Sequence, residues 1–266
     1  MLTKADVSCD SLGRVNHWQE VVIAAAAFAA GLINSIAGGG TLVSFPALLW
    51  MGRNPVLANA TSTAALWPAS LAGAYGFRRE LKGGARLFLL FGAPSLAGGV
   101  VGAVLLLRTP STFARLVPFL ILFATLLLAV QEPLSRRLRG ANEERAPSRA
   151  WWVGASVFQF FVGVYGGYFG AGIGILMLAA LGLLGFTDIH RMNALKNLLA
   201  ICINGVAAIY FIMSGAVIWS DVLVMTFAAI AGGYSGARLA YKLGRRFVRL
   251  AVITIGLVMS ISLFFR

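Results

Sequence analysis

Long apolar segments alternate with short polar ones along this chain. Several apolar stretches lack charged residues over a length close to the roughly 20 residues that a helix needs to cross a hydrocarbon core of about 30 Å. Examples are Leu87–Leu107, Leu116–Val130, Leu198–Gly215 and Leu250–Phe265. We predict that these stretches are membrane-spanning α-helices.

Another apolar stretch, Val21–Trp50, is interrupted by the three glycines Gly38 to Gly40. A weaker counterpart, Gly170-Ala171-Gly172-Ile173-Gly174, interrupts an apolar stretch in the second half of the chain. Such clusters break helices, and lipid cannot satisfy the backbone groups that a break releases. Paired breaks at corresponding places in two half-chains indicate the binding site of a secondary transporter.

The composition is that of a membrane protein. The mean hydropathy is +0.84, with 59% hydrophobic and only 12% charged residues. A net charge of +13 would suggest nucleic acid as the partner of a soluble chain. Here the basic residues lie in loops and at helix ends, where they set topology and contact anionic headgroups. We therefore expect membrane lipid, and no nucleic acid, as a partner.

An internal duplication is visible at a shift of 134 residues, from Gly98 to Gly232. The motif Ala97-Gly98-Gly99-x-x-Gly102-Ala103 aligns with Ala231-Gly232-Gly233-x-x-Gly236-Ala237. With two single-residue gaps, the alignment also pairs the first break with the second: Gly31, Gly38 and Gly40 with Gly163, Gly170 and Gly172. The predicted organisation is a polar tail over 1–20, a first membrane repeat over 21–130, a cytoplasmic linker over 131–150 and a second membrane repeat over 151–265. The tail lacks a signal-peptide pattern, so we expect the first membrane segment to be retained.

The basic residues favour inverted repeats. If each broken segment enters the membrane and returns as a helix and a half-helix, with three more spans per repeat, 16 of the 22 Lys and Arg residues lie on one side and 6 on the other. If each broken segment crosses once, the repeats are parallel and the division is 12 to 10. Because positive residues favour the cytoplasm, we predict an all-α polytopic membrane protein with two inverted repeats and both termini outside.

The pairs Gly98-x-x-x-Gly102 and Gly232-x-x-x-Gly236 place small residues one helical turn apart. Glycines at this spacing allow two helices to approach each other closely. We predict that both pairs have this structural role.

The breaks themselves are candidate anion sites. A half-helix that starts at Thr41 would present free N–H groups and the positive end of its dipole, and glycines beside it would allow a ligand to approach. The alternative is a kink that is only packed against a neighbouring helix. The candidate residues are Gly38, Gly39, Gly40 and Thr41 in the first repeat and Gly170, Gly172 and Gly174 in the second.

Polar residues at the predicted start of the next helix in each repeat are further candidates. They are Asn59, Thr61, Ser62 and Thr63 in the first repeat and Asn193, Lys196 and Asn197 in the second. Such residues either contact an anion or cap the helix. Lys196 is either the counter-charge for an anion or a side chain that reaches the cytoplasmic headgroups. Other polar residues in apolar segments bond between helices or line the path: Asn34, Ser35, Gln159, Tyr165, Tyr168 and Asn204.

The nine acidic residues lie in tails, loops or helix edges. No carboxylate relay or cation site is apparent, so we expect an anion as substrate and not cation or proton antiport. Catalysis would need a buried base or nucleophile, and we do not expect an enzyme. Two cysteines and two histidines form no metal-ligand pattern, and we expect neither a metal nor a cofactor. A channel or facilitator for unrelated small organic anions is the alternative to a transporter.

The motifs Ala37-Gly38-Gly39-Gly40-Thr41, Pro46, Ala58-Asn59-Ala60-Thr61 and His190-Arg191-Met192-Asn193-Ala194-Leu195-Lys196-Asn197 resemble the TauE/SafE family of sulfite exporters. The resemblance covers nearly all of Val21–Phe265, including the duplication. It implies outward transport of sulfite, sulfoacetate or related sulfur-containing anions across the bacterial inner membrane. It also implies that Gly38 to Gly40 and Asn59 to Thr63 carry the first repeat's signature. The second repeat departs from it, with Ala171 and Leu178 in place of a glycine and a proline.

Overall fold

The computed structural model describes residues 17–36, 39–76, 85–140, 149–183, 189–243 and 245–265. These residues form ten helices in two runs of five. The first run is α1 (His17–Ile36), α2 (Thr41–Trp50), α3 (Pro55–Gly76), α4 (Ala85–Arg108) and α5 (Pro110–Gly140). The second run is α6 (Arg149–Tyr168), α7 (Ile173–Leu183), α8 (Ile189–Met213), α9 (Trp219–Leu243) and α10 (Arg245–Phe264).

The prediction of an all-α polytopic membrane protein is confirmed. Among the described residues, three helical stretches are long and apolar enough to span a membrane: Leu87–Arg108, Pro110–Val130 and Ala194–Met213. The fourth predicted span is helical in α10, where the apolar part, Arg249–Phe264, is shorter. Many large apolar side chains on these helices are exposed, for example Leu89, Phe119 and Leu126, as expected of a surface that faces lipid.

The first broken segment enters the protein and turns back. Gly40, at the start of α2, lies so close to Ala30 of α1 that a Cβ on Gly40 would overlap the Ala30 carbonyl.

Just after α2, Arg53 forms a two-point ion pair with Asp221 in the first turn of α9, with Nε–Oδ2 at 2.8 Å and Nη2–Oδ1 at 3.0 Å. The α2–α3 loop and the start of α9 therefore lie at the same end of the protein. The chain between them passes through α3, α4, α5, the second broken segment and α8. If the four long helices each cross once, the two sites share an end only if the second broken segment also turns back.

Glycines hold α4 against α6, and the two helices run in the same direction. A Cβ on Gly98 would overlap the Phe160 carbonyl, and a Cβ on Gly102 would overlap the Val164 carbonyl one turn further on. On α6, Gly163 and Gly167 also lie close to the α4 backbone. The predicted packing role of Gly98 and Gly102 is confirmed.

The same contact recurs between α1 and α9. Gly31 abuts the Ala229 carbonyl, and Gly232 abuts the Phe28 carbonyl. The packing role of Gly232 is thus also confirmed, whereas the surroundings of Gly236 lie outside the described residues. Each repeat's first helix packs against the fourth helix of the other repeat, as an internal duplication would predict. The duplication and its inversion stay predictions.

The helix α5 continues through 131–140, so half of the predicted linker is a helical extension of the first repeat. Residues 141–148 lie outside the described part of the chain.

We expect Gly102→Ala to destabilise the protein by about 1–3 kcal/mol, because the added methyl group meets backbone atoms of α6 that cannot move aside. The measurement is the apparent Tm of the purified protein in detergent.

The matched control is Gly154→Ala on α6, where an added Cβ meets nothing within 4 Å. Since alanine favours a helix over glycine, this variant should unfold at the same or a higher temperature. An unchanged Tm for Gly102→Ala would contradict the close approach of α4 and α6.

Candidate functional site

The half-helix α2 begins at Thr41, as predicted. Gly39 adopts φ +98°, a conformation that glycine accepts without strain. The N–H groups of Leu42, Val43 and Ser44 donate to the carbonyls of Gly39 and Gly40 at 2.9–3.1 Å. An anion at this terminus would therefore use the N–H groups of Gly40 and Thr41. Gly38 lies outside the described residues.

A buried pair of hydroxyl groups joins α2 to α3. Ser44 Oγ and Ser62 Oγ are 2.7 Å apart, and both side chains are inaccessible to solvent. Ser44 Oγ also donates to the Gly40 carbonyl at 3.4 Å. Ser62, a predicted ligand, is therefore hydrogen-bonded within the protein and stabilises the position of α2.

The second break ends α6 and starts α7 at Ile173, between the candidate residues Gly172 and Gly174. Gly170 and Gly172 adopt φ +82° and +79°. The N–H groups of Phe169 and Gly170 both donate to the Tyr165 carbonyl, and that of Ile175 donates to Gly172. The first-turn donors that an anion would use here are the N–H groups of Ile173 and Gly174.

Lys196 lies across the first turn of α7. Its Cδ is 3.0 Å, and its Cε 3.6 Å, from the point where a Cβ on Gly174 would be. The half-buried lysine stem thus occupies the space that the missing side chain of Gly174 leaves. Its ammonium group, one bond beyond Cε, adds a positive charge near the positive end of the α7 dipole.

Two amide side chains, one from α3 and one from α8, lie beside the second break. Asn59 of α3 donates from Nδ2 to the Tyr168 carbonyl at 3.1 Å. Asn204 of α8 places Oδ1 at 3.6 Å from the point where a Cβ on Gly170 would be. The Tyr165 hydroxyl donates to the Ala171 carbonyl at 2.8 Å. Side chains from α3 and from the end of α6 thus bond to the carbonyls of this break.

The interpretation of Asn59 to Thr63 as helix caps is wrong. The helix α3 begins at Pro55, and Asn54 caps it by accepting the N–H of Val56 on Oδ1 at 2.9 Å. Proline at the first helical position, preceded by asparagine, is a strong start signal. Asn193 is likewise inside a helix, four residues after α8 begins at Ile189.

Thr61 is buried and bonded away from both breaks. Its Oγ1 accepts the N–H of Ile218, just before α9, at 3.0 Å. This bond holds the α8–α9 loop on α3, next to the ion pair of Arg53 and Asp221. Thr61 is thus brought to a structural contact and not to a helix break.

The remaining predicted site residues, Thr63, Asn193 and Asn197, lie on α3 and α8. Thr63 and Asn197 are half-buried on α3 and α8, and the side chain of Asn193 is outside the described part.

The two breaks are neighbours, because Phe45 of α2 packs edge-on against Phe169 with ring centroids 5.3 Å apart. A cavity shared by the two half-helix termini stays a prediction.

Asp221 lies at a helix edge, as predicted, but it is only 5% exposed and paired with Arg53. This ion pair could not be predicted from the sequence, because 168 residues separate Arg53 and Asp221. Within the described ranges, no group of three His, Cys, Asp or Glu residues is placed to hold a metal ion.

In the described part of the chain, long helices with exposed apolar side chains, together with two half-helices that start inside the protein, are typical of a polytopic membrane transporter. The chain belongs to the sulfite exporter TauE/SafE family, whose model matches residues 23–263.

Three proteins of similar sequence are described as membrane transporters. The chain is 29% identical over 241 residues to "Probable membrane transporter protein YfcA" of Escherichia coli, covering 90% of this chain and 87% of that protein. It is 27% identical over 235 residues to a "Probable membrane transporter protein" of Haemophilus influenzae, covering 88% and 89%. It is also 27% identical over 240 residues to "Probable membrane transporter protein ORF9" of a Sinorhizobium species, covering 90% and 89%. The chain is therefore a multi-pass membrane transporter.

We expect Thr61→Val to lower the free energy of unfolding by about 1–3 kcal/mol, because it leaves the N–H of Ile218 without its acceptor. Thr61→Ser, which keeps the hydroxyl group, is the matched control and should retain most of the stability. The apparent Tm in detergent measures both. If Thr61→Val is as stable as the parent protein, the hydroxyl group is not needed for the α8–α9 loop.

Proposed function

We propose that this transporter exports small sulfur-containing anions, sulfite or organosulfur anions such as sulfoacetate, across the bacterial inner membrane. The anion binds at the N-termini of the half-helices α2 and α7. The observation that carries the proposal is the position of Lys196 over the first turn of α7.

Two positive features converge at this terminus. The ammonium group of Lys196 and the positive end of the α7 dipole both attract an anion, and an anion between them would interact favourably with each. A sulfur oxyanion has several acceptor oxygens and suits both the N–H groups of Ile173 and Gly174 and a lysine. The description of the family as sulfite exporters supports this class of substrate.

The two half-helices would contribute unequally. At α2 the neutral pair of Ser44 and Ser62 joins the half-helix to its neighbour, whereas α7 has Lys196. We therefore assign the main charge recognition to α7 and a weaker contribution of backbone N–H groups to α2.

Export is consistent with the charge of the substrate. An inside-negative potential favours the exit of an anion by about 2.3 kcal/mol per charge for each 100 mV. The bacterial relatives support a location in the bacterial inner membrane.

We expect Lys196→Gln to raise the apparent KM for sulfite about tenfold or more, because a charge-assisted contact with the anion is lost. Lys196→Arg should restore part of the affinity. The measurement is the saturable flux of sulfite, sulfoacetate and sulfate into or out of proteoliposomes that contain the purified protein.

Gly174→Ala tests the same contact without removing the charge. Its methyl group would displace the flexible stem of Lys196, so the KM should rise while the apparent Tm stays equal or increases. Gly154→Ala on α6 is the matched control and should leave flux unchanged. Unchanged sulfite flux in both Lys196→Gln and Gly174→Ala would contradict the site. Flux that does not saturate would favour the channel alternative.

A further inference from the structure

A buried oxygen at the second break has no partner. Asn59 is 1% exposed, and among the described residues nothing donates a hydrogen bond to its Oδ1. The orientation of the amide is determined by its neighbour, because Nδ2 has to face the Tyr168 carbonyl, which only accepts. Oδ1 is therefore turned toward a position that needs a hydrogen-bond donor or a cation, since an unpaired buried acceptor is costly.

Further oxygens lie at the same end of α6. Gly166 O and Asn204 Oδ1 are 3.0 Å and 3.6 Å from the point where a Cβ on Gly170 would be. The N–H of Gly170, the usual helical partner of Gly166 O, donates to Tyr165 O instead. Together with Asn59, these oxygens lie at the C-terminal end of α6, which carries the negative end of the helix dipole.

We propose that the C-terminal end of α6 binds an alkali cation, Na⁺ or K⁺, through Asn59 Oδ1, Asn204 Oδ1 and the Gly166 carbonyl. All three ligands are neutral oxygens, whereas protein sites for Ca²⁺ and Mg²⁺ include carboxylates. Carbonyls at interrupted helices are the usual ligands for cations in secondary transporters.

The expectation of no cation site followed from the acidic residues alone. Amide and carbonyl oxygens provide the alternative, and only the fold places them at the same end of α6.

The cation site and the anion site would occupy opposite ends of one break. Asn204 and Lys196 are eight residues apart on α8, or about 12 Å at 1.5 Å per residue. Asn204 faces the end of α6 and Lys196 faces the start of α7. The inference rests on the proposed function for its role in transport, because a bound cation would couple the anion to a cation gradient. If the anion and the cation cross the membrane together, K⁺, which is more concentrated inside the cell, would favour export. Na⁺, which is more concentrated outside, would favour uptake.

The binding test needs no sulfur anion. The apparent Tm of the purified protein is measured in NaCl, KCl and choline chloride at equal ionic strength. A cation that binds the folded state raises the Tm in a saturable way, so we expect stabilisation by Na⁺ or K⁺ beyond choline. The cation that gives the larger shift identifies the preferred ion. Equal Tm values in the three salts would overturn the proposal.

Variants assign the effect to the site. Asn59→Leu and Asn204→Ala should lose the difference between the alkali salts and choline. Asn204→Asp keeps an oxygen and adds a charge, so it should retain or enlarge the difference even if Asn59→Leu does not fold. Asn34→Ala removes an amide that donates to Ser70 Oγ at 3.4 Å in another part of the protein, and it should keep the full effect. An undiminished effect in Asn204→Ala and Asn59→Leu would overturn the proposal.

Flux measurements separate this inference from the proposed function. Sulfite flux in a protein whose Tm does not respond to alkali cations contradicts the cation site alone. A specific cation response in a protein that moves no sulfur anion supports the cation site and contradicts the anion substrate alone.

Discussion

Backbone groups released at the two helix breaks have to find partners inside the protein, because lipid offers none. The structure satisfies several of them locally. At α2 the carbonyls of Gly39 and Gly40 accept the next N–H groups. At α6 and α7, Asn59 and the Tyr165 hydroxyl bond to the carbonyls of Tyr168 and Ala171. The buried rings of Phe113 and Phe169 both pack against Phe45 of α2. This requirement explains why polar residues of α3 and α8 point inward at these levels.

The two breaks satisfy the same requirement with different chemistry. The first is neutral, with the serine pair between α2 and α3. The second has amide oxygens at the end of α6 and a lysine at the start of α7. In the proposed site, charge recognition is thus concentrated at the second break, and the first break need not contribute equally to substrate binding.

The sequence predicted the breaks well because a glycine cluster weakens a helix wherever it occurs, whatever packs around it. Thr41 as the first residue of α2 and the packing of Gly98 and Gly102 followed from such local signals. The start of α3 was predicted wrongly, since Asn59 resembles a cap while the actual signal, Asn54 before Pro55, lies one turn earlier. Thr61 and the pair of Arg53 and Asp221 were beyond prediction, because their partners are more than 150 residues away in the chain. Asn204 was visible as a polar residue in an apolar helix, but only the fold places it beside Gly170.

The glycine contacts also constrain how the protein can move. Gly31 and Gly232 join α1 to α9, and Gly98 and Gly102 join α4 to α6, at distances where no side chain fits between the backbones. Each broken segment is therefore attached to a helix of the other half of the chain. A motion that exposes the breaks to one side and then the other would carry α1 and α2 together with α9, and α6 and α7 together with α4. The boundary between such units would lie where α3 crosses α8, at the hydrogen bond from Trp67 Nε1 to the Ile201 carbonyl. Each moving unit would then contain helices from both halves of the chain, so that neither half would move as a unit by itself.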